Sequence, residues 1–243
     1  MEKNTDKPRL AQARRDLAAL ANPTDAANLQ RFFKTGPGEY GEGDVFRGIR
    51  VPALRQLVPR YAELPRTDVL RLLASNHHED RLFALLLLVR QFERGNEAQQ
   101  RQVVTSYLQH TCHINNWDLV DLSAPNIVGT WVSAHDTAML TPLVRSPSLW
   151  ERRIAMVATL ALIRRQQYTT TLVLAKELLS DREDLLHKAT GWMLREVGKR
   201  DKATLTGFLD ARAATMPRTM LRYAIERFPE EERRRYLEQR KIG

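Results

Sequence analysis

Apolar residues recur every three or four positions along almost all of this 243-residue chain, and no segment alternates apolar and polar residues convincingly with a period of two. The first pattern is typical of amphipathic α-helices, and the second would indicate half-buried β-strands. Helix-start signals accompany the pattern. N-cap residues are each followed three positions later by Glu or Gln at Asn76, Asn96, Ser148 and Ser180. Together these features predict an all-α protein.

The predicted helices are joined by short connections, which favour antiparallel neighbours. Their predicted boundaries are 8–21, 24–34, 51–62, 66–75, 78–93, 97–109, 115–122, 124–133, 135–144, 149–164, 168–179, 182–198, 201–213, 217–227 and 229–239. Successive hairpins of similar length predict an α-solenoid of HEAT-like antiparallel helical repeats, with residues 1–243 forming a single domain.

The spacing of three Trp- or Arg-bearing helices supports a repeat. Trp117 and Arg153 are 36 residues apart, and Arg153 and Trp192 are 39 apart, close to the period of about 40 residues in such arrays. Corresponding helices would place these side chains on one concave face. Periodicity alone is also compatible with an ordinary helical bundle.

Residues 35–48 depart from the helical pattern because they contain five of the chain's eleven glycines. We interpret this segment as a loop between helices. It lacks the preceding strand and the Gly-Lys-Ser/Thr sequence of a phosphate-binding loop. Its acidic residues Glu39, Glu42 and Asp44 would also repel phosphate, so a structural role is favoured.

The chain carries an excess of positive charge, since 38 Lys and Arg residues against 29 Asp and Glu residues give a net charge of +9. Only eight of the cationic residues are lysines. Arginine binds phosphate oxygens in a bidentate manner, so the excess indicates a polyanionic partner. A preference for arginine in codon usage is the alternative explanation.

The single cysteine, Cys112, excludes an intrachain disulfide, a cysteine-based zinc site and a CxxC redox pair. Residues 1–7 lack the apolar core of a signal peptide, and the longest apolar run, 82–89, is too short to cross a bilayer. We therefore expect a soluble cytoplasmic protein with no membrane partner. The six histidines have no metal-binding spacing, and the sequence has no Gly-x-Ser-x-Gly elbow that would indicate a serine nucleophile. We therefore expect neither a metal nor a cofactor.

The window 115–121 places Trp117 and Asp121 four residues apart, and hence on one helix face. An aromatic ring and a carboxylate can together stabilise a cationic species. A core tryptophan beside an exposed aspartate is also compatible with this spacing. Asp118 begins the same helix and could act as a cap or as a salt-bridge partner.

The window 150–156 contains two adjacent arginines, Arg152 and Arg153. One of them could point along the helix towards a groove, or both could be solvated and paired with Glu151. The residues that follow, Ile154 and Ala155, continue the apolar stripe of the helix, which is the reason for the first alternative.

The window 188–196 contains a cationic stripe interleaved with an aromatic residue, because Lys188, Trp192 and Arg195 lie at positions i, i+4 and i+7. Such a stripe suits a nucleic-acid backbone. Gly191 lies in the middle of this helix, where it could permit close packing of a second helix or close approach of a ligand.

These windows resemble the motifs of the AlkD-like DNA alkylation repair glycosylases, which are built from HEAT-like helical repeats. The matching segments are Trp117-Asp118-Leu119-Val120-Asp121, Trp150-Glu151-Arg152-Arg153, Lys188-Ala189-Thr190-Gly191-Trp192-Met193-Leu194-Arg195-Glu196 and Phe46-Arg47-Gly48-Ile49-Arg50-Val51-Pro52-Ala53-Leu54-Arg55. They occur in the order found in the family and cover roughly residues 30–200.

The resemblance implies roles for individual residues. Asp121 corresponds to the catalytic aspartate, Trp117 and Trp192 to the paired tryptophans beside the lesion, and Arg153 to the active-site arginine. The candidate DNA contacts that the resemblance adds are Lys188, Arg195, Arg152, Arg50, Arg55 and Phe32. Phe32 stands where some relatives have tyrosine, and Arg50 where at least one has glutamine.

The resemblance also implies a reaction. A monofunctional DNA glycosylase would hydrolyse the N-glycosidic bond of cationic alkylated purines, such as 7-methylguanine and 3-methyladenine, in double-stranded DNA and leave an abasic site. It would act as a monomer without cofactor or metal, gripping the DNA backbone in a concave basic groove without enclosing a flipped base. Two alternatives stay open: a non-catalytic binder of damaged or branched DNA, and a HEAT-type protein-interaction scaffold.

Overall fold

The computed structural model describes residues 9–239. The regular elements within this range are helices and helical turns, and the only extended pairing there is one isolated β-bridge between Val45 and His77. The all-α prediction is confirmed. Residues 1–8 lie outside the described range, and with them the polar N-terminal segment and the first position of the predicted helix 8–21. Residues 240–243 also lie outside it.

The α-helices account for most of the described chain. They are α1 Leu10–Ala19, α2 Pro23–Phe32, α3 Val51–Tyr61, α4 Arg66–Leu73, α5 His78–Arg94, α6 Glu97–Gln109, α7 Trp117–Ser123, α8 Thr130–Ala134, α9 Leu140–Val144, α10 Leu149–Arg164, α11 Thr169–Glu177, α12 Asp184–Gly198, α13 Lys202–Asp210, α14 Arg218–Ala224 and α15 Glu230–Glu238. They form two compact units, one ending at Ser123 and the other beginning at Ala124. The assignment of residues 1–243 to a single domain stays a prediction.

The first unit is organised around α5, which packs against α3, α4, α6 and α7. Eleven residues of α5 are buried, and its apolar run supplies much of the core of this unit. The alternate helices α3, α5 and α7 contact one another in order, which is the packing of stacked helical hairpins.

The second unit repeats this arrangement with α10, α12 and α14. Each of these helices contacts the next, while α11 packs against α10 and α12, and α13 packs against α12. Ten residues of α10 are buried. Within each unit the packing is that of the predicted α-solenoid class; the concave basic groove stays a prediction.

Two segments predicted as continuous α-helices, 124–133 and 135–144, are only partly α-helical in the structure. The segment 124–133 begins with a π-helical turn, Pro125–Gly129, in which the amide of Gly129 donates to the carbonyl of Ala124 at 2.8 Å. A side chain at Gly129 would collide with the backbone of Ala158, so glycine allows this wide turn to pack closely against α10. The segment 135–144 is a 3₁₀ turn followed by the short helix α9.

Two of the predicted helix starts are confirmed. Asn96 and Gln99 form a full capping box at α6, and the Ser148 hydroxyl accepts from the amide of Glu151 at 3.5 Å. The two others are wrong. Asn76 does not cap α5, whose N-cap is His77, and α12 begins at Asp184, after the 3₁₀ turn that contains Ser180.

Within the described residues, no helix combines the length and the apolarity needed to cross a bilayer.

Candidate functional site

Helix α7 has one buried face and one partly exposed face. Asp118, Leu119, Val120 and Ser123 are buried, whereas Trp117 and Asp121 are partly accessible to solvent. The two residues are one helical turn apart, so the predicted shared face of Trp117 and Asp121 is confirmed. Both residues therefore leave part of their surface accessible to solvent on this helix.

Trp117 belongs to an aromatic cluster, which we define as Phe32, Phe33, Phe46 and Trp117. The ring of Phe33 stacks on Trp117 with centroids 5.2 Å apart and on Phe46 at the same distance, while Phe32 meets Trp117 edge-on at 6.1 Å. The indole Nε1 donates to the hydroxyl of Tyr40 at 3.3 Å. The glycine-rich segment thus supplies two side chains, Tyr40 and Phe46, that help to hold the Trp117 ring in place.

Beneath this cluster lies a buried polar cluster made of Asp44, His78, Arg81, Asn116 and Asp118. His78 bonds Asp44 through Nδ1 at 3.1 Å and Asp118 through Nε2 at 2.8 Å. Arg81 donates to the other oxygen of Asp44 at 2.6 Å, and Asn116 donates to Asp44 at 3.3 Å. Asp118 is thus tied to α5, which confirms the predicted salt-bridge role of this residue and anchors the first turn of α7.

The carboxylates determine the charge of His78. Burial by itself lowers the pKa of the imidazole, but the hydrogen bonds that His78 donates to Asp118 and Asp44 outweigh it and raise the pKa of His78 to about 9. Burial also acts to raise the pKa of the Asp44 carboxyl, yet His78 and Arg81 hold that pKa below its ordinary value. At neutral pH the cluster therefore contains an imidazolium between two carboxylates.

The first turn of α5 also organises the end of the glycine-rich segment. The Glu79 carboxylate accepts from the amides of Gly48 at 2.7 Å and Ile49 at 3.0 Å, which explains why Glu79 does not form the predicted capping box with Asn76. Gly48 has a φ of 80°, and a side chain there would collide with the backbone of Asn22. The structural role predicted for segment 35–48 agrees with these contacts.

In the second unit, Arg152 is held by the protein at the start of α10. Its Nε donates to Asp181 at 2.7 Å, and its Nη1 donates to the carbonyls of Ser146 and Pro147, each at 2.9 Å. The side chain is only 16% exposed, so the guanidinium is not part of a solvated pair.

Arg153 is buried, and its guanidinium donates to the backbone carbonyl of Leu185 in the first turn of α12. It therefore links α10 to α12. The position of Arg153, the predicted active-site arginine, is therefore fixed by its hydrogen bond to a neighbouring helix.

Lys188, Trp192 and Arg195 are each partly exposed along α12, so their predicted common face is confirmed. Lys188 forms an ion pair with Asp184 at 2.7 Å, and Arg195 pairs with Glu226. A Cβ at Gly191 would lie 2.5 Å from the carbonyl oxygen of Met220 in α14. Of the two alternatives for Gly191, the structure therefore shows close helix packing.

The early candidate contacts are accessible. Phe32 is 63% exposed at the end of α2. Arg50, the N-cap residue of α3, has an exposed side chain that pairs with Asp25 at 3.1 Å. Arg55 is exposed on the same helix. Of these three residues, only Phe32 is aromatic, and its ring contacts the ring of the candidate catalytic residue Trp117.

Comparison with known protein families matches residues 13–228 to the family described as DNA alkylation repair enzyme. The chain belongs to the DNA alkylation repair enzyme family. Among solved structures, it is similar to one described as "Predicted DNA alkylation repair enzyme from Enterococcus faecalis", with a TM-score of 0.68 and 19% identity over 86% of this chain and 97% of that one. A search of curated proteins finds no significant match.

In this member of the DNA alkylation repair family, sequence reasoning missed His78, Asp44 and Tyr40, which support α7. The available signal was the run of four charged or polar residues from His78 to Arg81, directly before the apolar part of α5. All four are buried, and buried charges are almost always paired. Within residues 9–239, no group of three or more His, Cys, Asp or Glu side chains is arranged to hold a metal ion.

Proposed function

We propose that this DNA alkylation repair protein is a monofunctional DNA glycosylase that releases cationic alkylated purines, such as 7-methylguanine and 3-methyladenine, from duplex DNA. The observation that carries the proposal is the pair of Trp117 and Asp121 on the accessible face of α7, one turn apart. Asp118, which belongs to the same turn, is anchored to His78 and so holds the helix in place.

Alkylation at N7 of guanine or N3 of adenine gives the purine a positive charge and makes it a good leaving group. As the N-glycosidic bond breaks, its electron pair moves to the purine, and the deoxyribose acquires oxocarbenium-like charge. The oxygen of a water molecule then bonds to C1′ and a proton is lost. A carboxylate stabilises this transition state and orients the water, as in glycoside hydrolysis. We assign both roles to Asp121 and assign to Trp117 an additional cation–π stabilisation.

The remaining candidate residues bind the DNA in this proposal. Trp192 packs on the sugar–phosphate backbone, and Arg153 binds a phosphate. The further contacts are Lys188, Arg195, Arg152, Arg50, Arg55 and Phe32. Selectivity comes from the charge and lability of the lesion, without enclosure of the base, so neutral lesions such as uracil are poor substrates. The protein acts as a monomer without a cofactor and leaves an abasic site.

The test is release of 7-methylguanine and 3-methyladenine from a methylated duplex, with wild type compared with Asp121→Asn. We expect the variant to release base at least about a hundredfold more slowly, because a preorganised electrostatic stabiliser of the transition state is lost. Affinity for the duplex should change little. Glu63→Gln removes a carboxylate from an exposed position outside the site and should release base like wild type.

Other outcomes would contradict specific parts of the proposal. Binding without base release by the wild type would favour a non-catalytic DNA binder. Equal release by wild type and Asp121→Asn would preserve the activity but remove Asp121 from the chemical step. Absence of duplex binding at physiological salt would favour a protein-interaction scaffold.

A further inference from the structure

The first unit contains a cavity of about 500 Å³ next to the aromatic cluster. It is bounded by α2, the end of the glycine-rich segment, the starts of α3 and α5, and Asp118 of α7. Its volume lies within the range of roughly 300–1,000 Å³ that is usual for small-molecule sites. The apolar residues that matter for its shape are Leu29, Phe32, Phe33, Phe46, Ile49 and Leu82.

The aromatic rings make this cavity suitable for a flat ligand. Phe33 and Phe46 are buried and stacked on one another with an interplanar angle of 15°, so their planes are nearly parallel. Phe32 meets Phe33 edge-on at 5.1 Å and is 63% exposed. An aromatic side chain left exposed beside an apolar cavity provides a stacking surface for a base, and every base has a π-face.

Polar groups line the cavity at two depths. Asp25, Asn28 and Arg50 are at the accessible side, and His78, Glu79 and Asp118 are buried. The buried groups are hydrogen-bonded within the protein, so the cavity does not contain an isolated charge that would exclude an uncharged heterocycle. The accessible groups are an amide and the ion pair of Arg50 with Asp25, which carry donors and acceptors of the kind found on the edge of a purine.

Two of the residues that line the cavity, Phe32 and Phe33, also contact the ring of Trp117. Phe33 stacks on the Trp117 ring, and Phe32 contacts it edge-on. A ligand between Phe32 and the apolar walls would therefore lie one aromatic ring away from the residue assigned to the lesion.

We propose that this cavity binds a single planar purine ring, stacked against Phe32. The inference rests on the proposed function for its biological meaning, since that reaction produces free purines and acts on DNA. Two sources can supply the ring: a free purine, including the released product, and the base opposite the abasic site, which has lost its pairing partner. The recognition chemistry is the same for both.

The first experiment titrates free adenine and free 3-methyladenine into methyl-labelled protein observed by NMR. We expect the methyl resonances of Ile49, Val51 and Leu82 to shift, and those of Leu205 in the second unit to stay unchanged. Phe32→Ala should weaken binding about tenfold, because base–aromatic stacking is worth about 1–3 kcal/mol. Cyclohexanol is the non-planar control; equal shifts with cyclohexanol would overturn the proposal for a purine site.

A cavity-filling variant provides the second measurement. Leu29 is partly exposed on α2 and lines the cavity, so Leu29→Trp should block purine binding without disturbing the core. Leu20→Trp introduces the same residue at a position that is 39% exposed and does not line the cavity. This control should bind purine like wild type. Equal binding by both variants would overturn the proposal.

The second source is tested with a duplex that carries 2-aminopurine opposite an abasic-site analogue. If the unpaired base enters the cavity, it exchanges stacking on its neighbours for stacking on Phe32, so its fluorescence changes on binding by the wild type and by Leu20→Trp but not by Leu29→Trp. Shifts with free purine alone identify the free base as the ligand, and a fluorescence change alone identifies the extrahelical base. If neither signal is seen, the proposal is overturned, even when base release is normal. Purine binding without base release would instead contradict only the proposed reaction.

Discussion

Asp118 and Asp121 lie three residues apart on α7, and their surroundings give them different roles. Asp118 is buried against the imidazolium of His78, while Asp121 is partly exposed, one helical turn after Trp117. A buried carboxylate with a cationic partner stabilises the folded protein, and removing one member of such a pair is strongly destabilising. An accessible carboxylate beside an aromatic ring can act on a ligand. Burial, and not residue type, separates the two roles.

The charge on His78 predicts a pH dependence of stability. The pKa rises from 6.5 to about 9 on folding. The stabilisation is therefore complete below pH 6.5 and is lost as the pH rises through 9, amounting to roughly 3 kcal/mol for this group. Urea unfolding between pH 6 and pH 10 should show this fall for the wild type but not for His78→Gln.

NMR of the imidazole ring tests the same prediction directly. The His78 ring should titrate with a midpoint near pH 9, and Asp118→Asn should lower this midpoint because one carboxylate partner is lost. A wild-type midpoint at or below 6.5 would show that the two carboxylates do not hold the proton.

At the scale of elements, the alternate helices of the second unit approach closely where side chains are small. Gly191 brings α12 against α14, since a Cβ there would lie 2.5 Å both from the carbonyl oxygen of Met220 and from the Cβ of Tyr223. Glycine lowers helix propensity by about 1 kcal/mol relative to alanine, so the close packing of the two helices is the stabilising effect that offsets it. The same α12 carries Trp192 on its accessible face.

Gly191→Ala should therefore destabilise the protein by about 1–3 kcal/mol, because overpacking outweighs the gain in propensity. The matched control is Gly207→Ala in α13, where an added Cβ meets no atom within 4 Å. This change should stabilise the protein by up to about 1 kcal/mol. Denaturant unfolding measures both variants. Stabilisation by Gly191→Ala would contradict the close packing of α12 and α14.

At the scale of the whole molecule, the net charge of +9 accompanies membership of a DNA alkylation repair family. Many of the cations are engaged within the protein, as Arg47 is with Asp80 and Arg81 with Asp44. Net charge alone therefore overstates the number of phosphate contacts. The salt dependence of DNA affinity measures the number that are actually made.

We expect the affinity for undamaged duplex to fall linearly with the logarithm of salt concentration. Arg55→Gln should reduce the slope by about 1, because one phosphate contact is lost. Arg71→Gln removes another exposed arginine, which pairs with Asp68 on α4 and is not a candidate contact, so it should leave the slope unchanged. Fluorescence anisotropy between 50 and 300 mM salt measures the slopes. Identical slopes for the two variants would remove Arg55 from the interface.

The sequence by itself determined most of the helices and most of their boundaries, and it placed Trp117 with Asp121, and Lys188 with Trp192, on shared helix faces. These features depend on a period of 3.6 residues, which is local and can be counted. The tertiary structure decided which charged groups are buried and with what they pair. His78 meets Asp44 and Asp118 across 34 and 40 residues of chain, and Arg153 is tied to α12 rather than left in solvent. Such pairings form only when distant elements pack together, because burial makes an unpaired charge too costly to keep.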